Sequence, residues 1–156
     1  MTFNESDLKA MRLAIQASAE ALADGDMPFG ATLVSPQGEI LLIAANNQFS
    51  AADCTGHAEM VLVRTAQKRL GMNALRGATV YASGEPCAMC SGAMFWAEIG
   101  RVVYAASTAQ IGAALGGPQL PARSAEVLAN ACPPLIVDGP LMAEQACAVL
   151  AKFVPE

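Results

Sequence analysis

Leu8, Met11, Ile15, Ala19 and Leu22 recur at the three-and-four spacing of one helix face. Asn4 or Ser6 can cap that helix, and Glu5 and Asp7 suit the positive end of its dipole. The helix should end before Gly25. Asp26-Met27-Pro28-Phe29 then turns the chain into a strand over 30–35, and Pro36-Gln37-Gly38 signals a hairpin. The next run, 39–45, is almost wholly apolar, which predicts a strand buried on both faces. A polar loop over 46–55 leads into a helix over 57–70, stopped by Gly71. Met60, Val61, Val63 and Leu70 are expected to face its core, with Arg64, Gln67 and Lys68 in water. Strands over 78–83 and 101–106 flank a helix over about 87–98. From Gly112 to Pro121, glycine and proline mark a loop with room for one short helix. Beyond it the pattern predicts a helix over 122–131, a strand over 135–137 and a last helix over 141–153.

An opening hairpin followed by strand–helix–strand units predicts an α/β fold. The expected architecture is a three-layer α/β/α sandwich on a mixed sheet of about five strands. With 156 residues the chain is read as one domain, 1–156, long enough to bury a core. No run reaches the ~20 apolar residues of a membrane span. The first seven residues are polar and acidic, unlike a signal peptide, so a cytoplasmic protein is expected. Hydrophobic residues make up 54% and charged residues only 15%, so some surface is expected to be covered by a second copy, as a homodimer.

The net charge of −5 has no basic stripe within it, which argues against a phosphate-gripping surface. Arg64, Lys68, Arg69 and Arg76 form the one loose cluster and read as a solvated helix face. A small-molecule partner is expected, with neither membrane nor nucleic acid. Five cysteines, an odd number without a secretion signal, argue against a disulfide framework. Cys54, Cys132 and Cys147 read as small packing residues, although Cys54 lies near the chemistry described next.

That chemistry sits in two short stretches, Thr55-Gly56-His57-Ala58-Glu59 and Glu85-Pro86-Cys87-Ala88-Met89-Cys90. Both fall where a loop enters a helix, where free N–H groups favour thiolate over thiol. Cys87 and Cys90 share one helix face by their spacing. One His and two Cys leave a tetrahedral zinc one open position. A metal with such a position activates water near neutral pH, and a neighbouring Glu can move the protons. Taken alone, the C-x-x-C is also compatible with a redox pair or half of a structural zinc site. No second C-x-x-C is present to complete a four-cysteine site.

The H-x-E and P-C-x-x-C pattern is the known signature of zinc nucleobase deaminases. With Met27-Pro28-Phe29-Gly30-Ala31, Asn46-Asn47 and Asp53-Cys54-Thr55, it resembles the cytidine deaminase-like superfamily over about 24–106. The likeness is to the branch of guanine, cytosine and tRNA adenosine deaminases. That resemblance implies zinc (Zn2+) held by His57, Cys87 and Cys90, with Glu59 as the proton shuttle. It implies a base-binding Asn46, with Asn47 as the alternative. It also implies a pocket lined by the backbone of Gly56, Ala58 and Glu85, with the Ala58 N–H and Glu85 C=O facing substrate, and by the Phe29 ring. Trp96 lies off the ligand face and is assigned to packing or a subunit interface. Three positions depart from the family: Cys54 where Pro is usual, Gly56 where Ala is usual, and Gly84 where Cys or Leu is common.

The activity so implied is zinc-dependent hydrolytic deamination of a small aminated ring. Guanine is the first expectation, because Phe95-Trp96-Ala97 resembles that branch. Residues 107–120 lack the acidic residues such enzymes carry there, which raises cytosine or isocytosine. Ile99-Gly100-Arg101-Val102-Val103-Tyr104 resembles the tRNA adenosine branch, but the last helix offers almost no basic surface. A non-catalytic zinc-stabilised binding protein is the alternative from another class.

Overall fold

The computed structural model describes residues 2–155. Its strands are β1 (Gly30–Val34), β2 (Ile40–Ala45), β3 (Thr79–Gly84), β4 (Arg101–Ala106) and β5 (Ile136–Asp138). They form one sheet in the order β2-β1-β3-β4-β5. The β1–β2 and β1–β3 pairs are antiparallel; β3–β4 and β4–β5 are parallel. The helices are α1 (Glu5–Ala23), α2 (Ala58–Leu70), α3 (Met72–Leu75), α4 (Ala88–Trp96), α5 (Thr108–Leu115), α6 (Ser124–Val127) and α7 (Ala143–Leu150).

Side chains alternate across the sheet, so neighbouring strand residues enter different cores. Leu33, Val80 and Val102 pack with Leu62, Ala66 and Met94 of α2 and α4. Val34, Tyr81 and Val103 pack with Met11, Ala14 and Ala146 of α1 and α7. This is the three-layer α/β/α sandwich with a mixed five-stranded sheet that the pattern predicts.

Asn4 caps α1 through a capping box closed by Asp7. The buried face of α1 is turned from the predicted stripe. Ala10, Ala14, Ala17 and Ala21 face inward, and Ala19 is exposed. Gly30 gives the reason: a Cβ there would lie 2.2 Å from the Ala14 carbonyl oxygen and 2.7 Å from the Ala17 Cβ. Helix and strand approach so closely that only small residues fit between them. Asp7 also does more than complement a dipole. It accepts from the Tyr81 hydroxyl at 2.7 Å and from Arg101 at 2.8 Å, and Arg101 bridges on to Asp138 at 2.8 Å. One buried carboxylate thus ties α1 to three strands.

Four local expectations are corrected. The apolar run over 39–45 is an edge strand, with Ile40 and Ile43 exposed, because apolar composition does not reveal which face the chain itself covers. On α2 the core takes Leu62, Val63 and Ala66; Met60 and Val61 are half-buried and Leu70 is exposed. The 122–131 helix shrinks to the single turn of α6, and the short α3 follows Gly71 unannounced. The last helix spans only α7. No helix among the described residues is long and apolar enough to cross a membrane.

Candidate active site

The two parallel connections β3–α4 and β4–α5 place both helix starts beyond the carboxyl ends of their strands, where α/β sheets bind ligands. His57 and Cys87 are the N-cap residues of α2 and α4, both in extended backbone. Neither side chain caps its helix, so each is free to face the other. The loop before His57 is held from outside. Asp26 accepts from the Phe49 and Ser50 N–H groups at 3.0 and 2.9 Å and from the Ser50 hydroxyl at 2.7 Å. Asp53 accepts from the Thr55 N–H and hydroxyl, closing the turn into His57.

His57 Nδ1 stands 3.6 Å from Cys87 Sγ and 3.6 Å from Cys90 Sγ. The donor atoms of the three residues all lie within 4.8 Å of one another. A tetrahedral ion with Zn–S of about 2.3 Å and Zn–N of about 2.0–2.1 Å sets sulfur and nitrogen roughly 3.6 Å apart, so this trio fits zinc.

The protonation chemistry points the same way. Cys87 is drawn down to about 4 by a hydrogen bond from Cys90, then, against burial, by His57 and the Cys90 N–H. Cys90 is pushed far up by its bond to Cys87, by burial and by the Glu59 charge. Two adjacent thiols do not both ionise unaided; a divalent cation lets them do so. His57 is raised by its hydrogen bond with Cys87, against burial, with the Glu59 and Cys87 charges adding.

Glu59 is buried, with Oε2 3.5 Å from Cys90 Sγ. Burial raises its carboxyl above the usual range, and the Cys87 charge adds to that. A carboxyl so placed can take up and return a proton.

His57, Glu59 and Cys87 open into a cleft of about 680 Å³ that also receives Phe29, Glu85 and Cys54. Its far wall comes from α5, the glycine-rich turn after it, and Phe153. Gly84 shapes the near wall: a Cβ there would lie 2.7 Å from the Phe29 ring and 3.0 Å from Ile111. Glycine at this position makes room for both side chains.

The Glu85 side chain is turned inward and is wholly buried. It accepts from the Thr108 N–H at 2.8 Å and from Arg123 Nε at 3.2 Å, and Arg123 also donates to the Tyr104 hydroxyl at 3.0 Å. Asn46, Gly56 and Ala58 are buried and are not among the residues that line the cleft. Gln48 is, and it holds both polar atoms of the Asn46 side chain. Trp96 lies on the far end of α4, 77% exposed and edge-on to Phe95.

Gln48, Thr108, Ile111, Arg123 and Phe153 are absent from the sequence reading of the site. Gln48 had a faint signal, since it directly follows Asn46-Asn47. The others lie well past both motifs, Thr108 and Ile111 just after β4, Arg123 in the predicted 122–131 helix and Phe153 at the end of the predicted last helix, and no spacing connects them to the ligands.

Residues 4–106 match the model of the cytidine and deoxycytidylate deaminase zinc-binding region. A Schizosaccharomyces pombe protein named "Probable cytosine deaminase" is 35% identical over 150 residues, covering 92% of this chain and 89% of that one. The guanine deaminase of Bacillus subtilis is 44% identical over 79 residues, covering 51% of this chain and 50% of that one. The solved guanine deaminase of Nitrosomonas europaea superposes with a TM-score of 0.80 at 21% identity, covering 96% of this chain and 84% of that one, a likeness of fold. With its His/Cys/Cys group suited to zinc, the chain belongs to the cytidine and deoxycytidylate deaminase family of zinc-dependent hydrolytic enzymes.

Proposed function

We propose that this chain deaminates a free nucleobase, with cytosine the foremost substrate, using zinc held by His57, Cys87 and Cys90. The convergence of one imidazole nitrogen and two sulfurs beside a buried carboxyl carries this reading. When bound, zinc supplies the Lewis acidity that makes water a nucleophile near neutral pH. Glu59 takes the proton released as water adds to the amino-bearing ring carbon. It returns that proton to the ring nitrogen, then carries the proton of the added hydroxyl to the amine, so C–O forms, C–N breaks, the carbonyl closes and ammonia leaves. The Phe29 ring packs on the base. The Ala58 N–H and the Glu85 C=O are its backbone partners, with Gly56 leaving space at the helix entry and Asn46 at the base-reading end.

Cytosine stands ahead of guanine, the first expectation from sequence, because the relative matched nearly end to end is named for cytosine. Guanine is the second reading, favoured by the stronger local identity to the Bacillus subtilis enzyme. A tRNA substrate is disfavoured by charge. Two of the four loosely clustered cations, Arg64 and Arg76, already pair with Asp53 and Glu98. Homodimerisation belongs to the same proposal: a second copy would cover exposed Trp96, and sedimentation at monomer mass would remove it.

The test is ammonia release by zinc-loaded protein from cytosine, isocytosine, guanine, their nucleosides and tRNA. Release from a free base is expected, with Glu59→Ala keeping its zinc and losing turnover. Silence across the whole set would defeat the enzymatic reading, and unchanged turnover in Glu59→Ala would defeat the assigned shuttle.

A further inference from the structure

The cleft is far larger than the ring that its zinc end must hold. At about 680 Å³ it falls among pockets of about 300–1,000 Å³ that take drug-sized ligands, and a one-ring base fills only its inner end. The remainder has a wall of its own, supplied by α5. Thr108 opens α5 beside the site, its N–H bound to Glu85 at 2.8 Å. At about 1.5 Å per residue, the eight residues of α5 carry that wall roughly 12 Å onward. Ile111 stands near the Phe29 ring, since a Cβ on Gly84 would touch both. Leu115 lies one turn further along the same face. A helix ordinarily turns its apolar stripe into the core. No residue of α5 is fully buried; Ile111 and Leu115 rest on the core at one edge and open into the cleft at the other.

Gly116 and Gly117, with positive φ of 62° and 71°, reverse the chain after Leu115. The return brings residue 119 back against the helix: a Cβ on Gly112 would lie 2.9 Å from Gln119 Oε1. Leu120 and Phe49 line the same cleft and are 59% and 61% exposed. Large apolar side chains left open on a cavity wall suit an apolar ligand. Phe153 completes this outer lining. Charge narrows the ligand further. Among the described residues, neither Lys nor Arg lines the cleft, and its carboxyls are Glu59 at the metal end and Glu85, already bound by Arg123. A phosphate or carboxylate would meet no cation there.

We infer that the cleft has two compartments. The inner one takes the aminated ring. The outer one, walled by Ile111, Leu115, Leu120, Phe49 and Phe153, takes an uncharged apolar substituent that the ring carries on the side away from its amino-bearing carbon. This rests on the nucleobase reading above and extends it to ring-substituted bases. In cytosine the atom across the ring from the amino-bearing carbon is N1; in guanine the most distant ring atom is C8. The reaction is the same: water adds to the amino-bearing carbon, C–N breaks and ammonia leaves, with the substituent untouched.

The experiment measures kcat/KM of the zinc-loaded protein by ammonia release. The probes are cytosine, 1-benzylcytosine, cytidine and deoxycytidylate, with guanine and 8-benzylguanine beside them. The benzyl derivative of whichever base is deaminated should exceed its parent by about ten- to a hundredfold, chiefly through KM, as a phenyl ring leaves water. Cytidine, with a polar sugar at the same atom, should gain nothing over cytosine, and deoxycytidylate should be the poorest of the cytosine series. Leu115→Ser and Leu120→Ser should each cut the benzyl-to-parent ratio about three- to tenfold. General loosening of the fold would lower both substrates together and leave that ratio alone. A benzyl base poorer than its parent, as a second copy seated over the outer compartment would produce, overturns the inference alone. So does a ratio that neither substitution lowers. Ammonia from none of these rings would defeat the nucleobase reading itself.

Discussion

Arg123→Met removes the guanidinium that neutralises a wholly buried carboxylate while keeping much of the aliphatic stem. Glu85 would retain one partner, the Thr108 N–H, after losing the Arg123 bonds at 3.2 and 3.5 Å. Breaking a buried ion pair by removing one member costs about 3–5 kcal/mol. Here the Arg123 side chain is 50% exposed, so water already screens the pair from one side. We expect about 2 kcal/mol, which for a chain of 156 residues lowers Tm by roughly 4–8 °C. The assay is thermal and urea unfolding of the zinc-loaded protein. Glu85→Gln added to Arg123→Met removes the stranded charge, so the double variant should lie no lower than Arg123→Met, with a coupling of about 1–2 kcal/mol. Because Glu85 also anchors the start of α5, KM should rise as the cleft wall loosens. A Tm within about 1 °C of wild type, or no coupling in the cycle, would refute the idea that this pair braces the site.

Three further outcomes are expected. Asp7 is raised by burial, but the Asn4 N–H, the Tyr81 hydroxyl and Arg101 outweigh that and hold it below the usual carboxylate value. Its stabilisation is therefore complete above the unfolded value of 3.8 and is lost as pH falls through the lower folded value; Asp7→Asn should be less stable near neutrality and show a flatter acid unfolding curve, read by circular dichroism. Gly30→Ala puts a Cβ 2.2 Å from the Ala14 carbonyl oxygen, a backbone atom, and should destabilise by about 3 kcal/mol or more in urea unfolding. Gly84→Ala meets the Phe29 ring at 2.7 Å and should cost about 1–3 kcal/mol and raise KM for the base, in paired unfolding and steady-state measurements.

The strands and the ligand set were legible because their signals are local. A helix start fixes the geometry of Cys87 relative to Cys90, and of His57 relative to Glu59, within a few residues. The strand predicted at 101–106 coincides with β4. What sequence did not carry is pairing at a distance. The small face of α1 depends on the closeness of Gly30, which no periodicity in α1 records. The apolar run of β2 reads alike whether its own chain covers both faces or leaves Ile40 and Ile43 open. Arg123 meets Glu85 across thirty-eight positions, a pairing that no local spacing announces. The hydrogen bonds that tie the Asn46 amide to Gln48 likewise exist only once the loop has folded.

X-ray absorption at the zinc edge tests the central claim most directly. One zinc per chain should show two sulfurs at about 2.3 Å and two nitrogen or oxygen neighbours at about 2.0–2.1 Å, one of them exchangeable solvent. A third sulfur, drawn from Cys54 on the cleft wall, or a site that retains no zinc, would contradict it.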